Sequence, residues 1–189
     1  MNEEMLKNLG PLRTLAGIWE GGPGDDAAPS ADRKKVINKY KERTVLEPLN
    51  PVANHEQKLF GLRYSTQSFL LGETEPFHDE VGYWLWDPKE ELVFKGVTIP
   101  RGMVLLAGGS AKADAKSFKL KAELGARTFG ICSNPFLDME FQTVKYEIEM
   151  TFNPDGSFTY DQNSFIKIKG QEKLFEHRDI NTLRKIKSA

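Results

Sequence analysis

The sequence predicts an all-β protein, a closed up-and-down barrel of about ten antiparallel strands with a short N-terminal helix. Three observations carry this. Apolar and polar residues alternate with period two through most of the chain. Gly, Pro, Asp and Asn end each alternating segment, and helical periodicity is almost absent. Without crossover helices the strands cannot form a parallel sheet, so they meander antiparallel. A two-sheet sandwich competes with the barrel, but closure removes the edge strands that ten such segments would expose.

In chain order, only residues 3–8 can make a helical turn or two before Gly10 and Pro11 stop them, so residues 1–11 read as an N-terminal cap. A short strand covers residues 17–21. The stretch GGPGDDAAPSAD, residues 21–32, has no apolar period and reads as a long flexible loop in which Asp25 and Asp26 are solvated. It lacks the Gly-Lys-Ser/Thr ending of a phosphate-cradling loop. Strands follow near 33–46, 56–69, 79–87, 91–98 and 101–107, and Trp84 and Trp86 share a face opposite Val81, Tyr83 and Leu85. Phe118, Leu120, Ala122 and Leu124 mark another half-buried strand. The cleanest alternation sets Val144, Tyr146, Ile148, Met150 and Phe152 against Lys145, Glu147, Glu149 and Thr151. The turn NPDGS then reverses the chain, Phe158 and Tyr160 resume the pattern, and a last strand spans 173–186.

The 189 residues suit one domain, 1–189. A net charge of −1, evenly spread, offers no basic face to nucleic acid. The single cysteine, Cys132, excludes an internal disulfide and is expected to be a buried structural thiol. No signal peptide or membrane span stands out, so a cytoplasmic protein, monomeric or homodimeric, is expected.

No Gly-X-Ser-X-Gly, His-Glu-X-X-His, Cys-X-X-Cys or dinucleotide motif is present, so any function must come from the barrel interior. Such barrels hold one small ligand or fill with side chains, and this chain has twelve Phe, five Tyr and three Trp to line or fill it. Of three histidines, His55 reads as a surface residue and His78 as the start of a strand, capping it or standing at the cavity mouth. His177 lies within the last strand, on one face with Phe175, Asp179, Asn181 and Leu183. If that face is inward, Asp179 or Asn181 can accept the imidazole N–H and leave the other nitrogen for a metal. If not, the three residues are a structural clasp at the barrel seam. Two further readings stand beside these. A carrier of a fatty-acid-like or other hydrophobic molecule would hold a carboxylate with residues such as Arg63, Tyr64, Arg127 or Tyr146. An enzyme would use His177 and Asp179 as an acid–base pair.

Three stretches, in order, resemble the nitrobindin-like haem-binding β-barrels, a family similar in shape to lipocalins and fatty-acid-binding proteins. LGPLRTLAGIWEGGPG carries Gly17, Trp19 and Gly21 of a Gly-X-Trp-X-Gly-X-Gly signature, with Pro23 at the last position. FHDEVGYWLWDP places His78, Glu80, Gly82, Tyr83 and Trp84 in step with a His-X-Glu-X-Gly-Tyr-Trp segment, and HRDINTLRK takes the place of the final strand. The resemblance implies a ten-stranded barrel holding haem b through one axial histidine, His177, with His78 on the distal side. The cofactor-binding candidates are thus His177, His78, Asp179, Asn181 and Trp19, with His177 as metal ligand. It also implies nitric oxide binding and peroxynitrite isomerisation.

Overall fold

The protein, here a computed structural model, is described over residues 3–188. It opens with helix α1 (Glu3–Lys7) and a 3-10 segment (Gly10–Leu15). Strands β1 (Gly17–Pro29), β2 (Lys35–Pro48), β3 (Val52–Asn54), β4 (Gln57–Leu70), β5 (His78–Asp87) and β6 (Leu92–Ile99) follow. Next come β7 (Met103–Ser110), β8 (Ser117–Leu124), β9 (Gly130–Ser133), helix α2 (Pro135–Glu140), β10 (Phe141–Phe152), β11 (Phe158–Ile168) and β12 (Phe175–Ser188). The sheet closes on itself. β1 pairs with both β12 and β2, β2 with β4, and sequential neighbours complete the circuit. The barrel therefore has twelve strands among the described residues rather than about ten, because the short β3 and β9 join a ring of ten. β7 and β8 share a single paired position, Gly108 with Lys121, and β9 wedges between them, parallel to β8 and antiparallel to β7.

Three expectations need correction. Residues 21–29 are not loop but the second half of β1, paired to β2 from Gly24 to Pro29 and to β12 from Asp25 to Ala27, and only residues 30–32 belong to the following turn. Glycine there serves the close approach of strands. A Cβ on Gly24 would stand 2.6 Å from the Tyr40 ring and 2.9 Å from Asn181 Cγ, so only glycine lets both side chains lie flat against the backbone. Asp26 is consequently buried, not solvated. Cys132 is exposed, because β9 turns Ile131 inward and the cysteine, by the strand period, outward. Of the predicted cap, residues 1 and 2 lie outside the described residues.

Inward positions divide the barrel along its axis. One end is apolar: Leu9, Leu12 and Leu15 plug it and pack with Trp19, Leu46, Leu62, Trp84, Trp86, Met150, Phe158 and Leu183. This burial is the main driving force for closure. Toward the other end the same strands turn polar, from Leu46 through Thr44 to Glu42 on β2, and from Leu62 through Tyr64 to Ser68 on β4.

Candidate functional site

The polar half is built on two buried constellations and a histidine pair at the rim. In the first, Glu80 on β5 receives Lys95 Nζ from β6 at 2.9 Å and the Tyr64 hydroxyl at 2.8 Å. Burial alone would raise the Glu80 carboxyl; the Lys95 ammonium and then His78 pull it far below the usual carboxylate range. Burial works against the Lys95 charge too, but Glu80 outweighs it and holds the lysine protonated. Lys95 also lies against the rings of Tyr64, Trp84 and Tyr146, at 5.3–6.0 Å. The Tyr146 hydroxyl, pushed up to about 12 by burial, donates to Gln162 Oε1 at 2.7 Å.

The second constellation joins Tyr40 and Glu42 of β2 to Tyr160 of β11 and Asp179 and Asn181 of β12. The two tyrosine oxygens are 2.7 Å apart. Tyr40 donates to Asp179, and Tyr160 donates to Glu42 Oε2 at 2.6 Å with Asp179 Oδ2 3.2 Å away. Thr44 and Asn181 donate to the two oxygens of Glu42, at 2.8 and 3.3 Å. Three short oxygen–oxygen contacts link these groups, with only two phenolic protons among them. Burial raises both acids, Asp179 to about 7, against the opposing hydrogen bonds from Tyr40 and Tyr160. Among the described residues neither Glu42 nor Asp179 has a cationic ion-pair partner.

At the rim, His177 faces inward and is half-buried. Its Nε2 lies 2.7 Å from Asp26 Oδ1, and Asn38 donates to the other oxygen of Asp26 at 2.9 Å. Burial would raise Asp26, but these hydrogen bonds, His177's first, leave it lowered. His78, the first residue of β5, has Nε2 3.6 Å from Glu80; burial disfavours its charge, and Glu80 reverses this so that the imidazole is raised. Between rim and core remains a chamber of about 50 Å3, reached by Glu42, Ser68, His78, Lys95, Tyr160 and Asp179 among others.

The structure thus brings His177, His78, Asp179 and Asn181 to one end of the barrel. It gives His177 a partner that the sequence reading missed: Asp26, across the β1–β12 ladder, rather than Asp179 or Asn181. Trp19 is elsewhere. It is fully buried near the plugged end, its indole N–H donating to the Leu15 carbonyl at 2.7 Å and its ring edge-on to Phe158. The carboxylate cradle does not form: Arg63 is exposed and paired to Glu47, Arg127 is exposed, and Tyr64 and Tyr146 are engaged by Glu80 and Gln162. Nor do His177 and Asp179 pair as an acid and base, since each has other partners. Glu42, Ser68 and Lys95 were missed as well, and Glu80 was noted only as part of the His-X-Glu-X-Gly-Tyr-Trp segment. Their signal is a polar residue at an inward position near the same end of each strand, visible only once strand direction is known.

Among the described residues no three His, Cys, Asp or Glu side chains gather to hold a metal ion, and no helix is long and apolar enough to cross a membrane. Over residues 8–185 the chain matches the family model described as "THAP4-like, heme-binding beta-barrel domain". No curated protein matches it. Among solved structures it is similar to the "Crystal Structure of Rv2717c from M. tuberculosis", with a TM-score of 0.63 and 21% identity over 96% of this chain and 97% of that one. At that identity the likeness shows the fold.

Proposed function

This chain belongs to the family of THAP4-like, heme-binding β-barrel domains, small-ligand-binding barrels, and from that premise we propose that it binds haem b through His177 at the polar end. The observation that carries the reading is the placement of His177: inward, at the rim, with a buried carboxylate on its ring. A metal-ligating imidazole nearly always has such a partner, which fixes its tautomer and raises its basicity. The donor set fits haem better than a bare ion. Among the described residues no three His, Cys, Asp or Glu side chains are grouped to fill a coordination sphere, whereas a porphyrin brings its own nitrogens. The chamber below does not hold a porphyrin, for about 50 Å3 is far short of the roughly 300–1,000 Å3 of small-molecule pockets. The residues that would hold the group are therefore those at the rim, His177 and His78.

When bound, ferric haem supplies an iron for nitric oxide and for isomerising peroxynitrite to nitrate. The residues of the chain do the rest. His177 would supply an imidazole nitrogen to the iron. Asp26, itself fixed by Asn38, would hold the orientation of the ring. His78, the other rim imidazole, is a hydrogen-bond donor toward a ligand at that end.

Haemin titration tests this. Purified protein gives a saturable Soret shift that His177→Ala abolishes, and Asp26→Asn weakens affinity by about 10–100-fold if the carboxylate supports the ligand. Identical spectra for wild type and His177→Ala refute the axial role.

A further inference from the structure

We propose that the outer face of β4, β5, β6, β7 and β9 is a docking surface for a second copy of this chain. The outward positions differ around the barrel. On β8 and β10 they include Lys119, Lys121, Glu123, Lys145, Glu147 and Glu149, a solvated wall with an ion pair across its strands. On β6, β7 and β9 none is charged. Register brings Tyr83, Gly96 and Leu106 side by side in one row, and Val81, Thr98 and Val104 in the next. Val81, Tyr83, Val104 and Leu106 are each 43–48% exposed, and the rows line a shallow groove of about 940 Å3. A contiguous exposed apolar face of this kind is uncommon on a monomer and marks an interaction surface.

The shape of the face points to its occupant. Two outward glycines lie along it, Gly108 on β7 and Gly96 on β6. The ring of Phe129 covers Gly108, standing 2.1 Å from where a Cβ would be. Among the described residues nothing covers Gly96: the nearest atom to its would-be Cβ is the Tyr83 carbonyl oxygen, 3.9 Å away. The backbone there is ordinary strand, so neither conformation nor crowding within the chain calls for a glycine. The hollow has Tyr83 on one side and Leu106 on the other. A twofold interface needs one patch that carries both knob and hole. A copy turned over about an axis parallel to the strands, between β5 and β6, sets Tyr83 of each chain into the Gly96 hollow of the other. The same rotation matches the charges at the ends of the Tyr83 row. One end is Glu47 on β2, reached through Arg63, with which it pairs. The other, beyond Leu106, is the β8–β9 loop, where Ala126 and Gly130 line the groove and Arg127 is exposed with no ion pair among the described residues. Glu47 is more than half exposed, at 56%, and comes opposite Arg127 of the other copy. Side chains three deep on five strands cover roughly 500 Å2, so two faces together reach the roughly 1,000 Å2 that a specific interface needs.

The interface is independent of haem, and its test uses haem-free protein. Sedimentation velocity from about 1 to 200 μM should show a reversible monomer–dimer equilibrium, since a face of this area suits micromolar association. Gly96→Thr fills the hollow, and Leu106→Lys puts a charge on the exposed row. Each should raise the dissociation constant by about tenfold or more. Both positions are open in the single chain, so circular dichroism should show the fold intact in both variants. Glu47→Arg should weaken the dimer several-fold, and adding Arg127→Glu should restore it. Glu149→Ala, on the charged wall, should leave it unchanged. The proposal is overturned if wild type stays monomeric throughout, which would leave the face to a different partner. It is equally overturned if Gly96→Thr and Leu106→Lys dimerise as wild type does, or if the charge exchange restores nothing.

Discussion

At Asp179 a carboxyl sits among Tyr40, Tyr160 and Glu42, and burial raises it from 3.8 to about 7. The folded protein keeps this proton where the unfolded chain has released it. Below pH 3.8 both states are protonated and the group costs nothing; stability falls as pH rises toward 7 and is level above it. The shift corresponds to roughly 4 kcal/mol. Asp26 and Glu80 are lowered and act in the opposite sense, giving stability that is lost as pH falls. Comparison with Asp179→Asn therefore isolates the effect: in urea unfolding between pH 4 and 7 the variant should gain on wild type as pH rises, and a constant difference would show that Asp179 titrates normally. Lys95 and Glu80 make a second residue-scale case. Lys95→Met leaves a buried carboxylate uncompensated and should cost about 3–5 kcal/mol, of which adding Glu80→Gln restores a large part. A double variant no more stable than the single one would mean the pair contributes little. Little of this was legible in the sequence. The sequence placed His177 in the last strand and the family resemblance gave it a role, but its partner Asp26 is 151 positions away and the burial of that aspartate depends on the pairing of β1.

The element that misled the sequence reading is β1. Gly, Pro and Ala are the residues of turns, and the stretch from Gly21 to Pro29 carries no alternation, so its composition argues for a loop. What makes it a strand is supplied by β2 and β12, whose backbone groups need partners, and by the register shift between Gly21 and Gly24 that lets it bend. Gly24→Ala should cost about 2 kcal/mol or more, since the added methyl meets the Tyr40 ring at 2.6 Å. The same change should perturb the near-ultraviolet circular dichroism by displacing Tyr40; a neutral substitution would show that the strands can separate freely there. By contrast β10 was legible because Tyr146, Ile148 and Met150 are all buried and alternate without interruption. The helix α2 was missed because six residues give too little periodicity, although Asn134 caps it and accepts from the Leu137 N–H at 3.0 Å.

Over the whole molecule the barrel combines a hydrophobic plug at one end with an ionisable interior at the other. The plugged end holds the fold: Leu12 is fully buried, and Leu12→Ala should cost about 2–5 kcal/mol by denaturant unfolding, with a much smaller loss implying that the N-terminal segment is not needed to close the barrel. The closed ring was legible from strand count and the absence of crossovers. The division between its ends was not, because it appears only when ten strands of alternating direction are brought side by side. That division puts His177 and His78 at one end and makes the axial assignment sharp enough to test with one spectrum. Haemin-loaded wild type, His177→Ala and His78→Ala should be compared by their Soret bands. If His177 is the iron ligand, His78→Ala retains the wild-type ligated band at saturation and His177→Ala loses it; a ligated band that survives in His177→Ala contradicts the assignment.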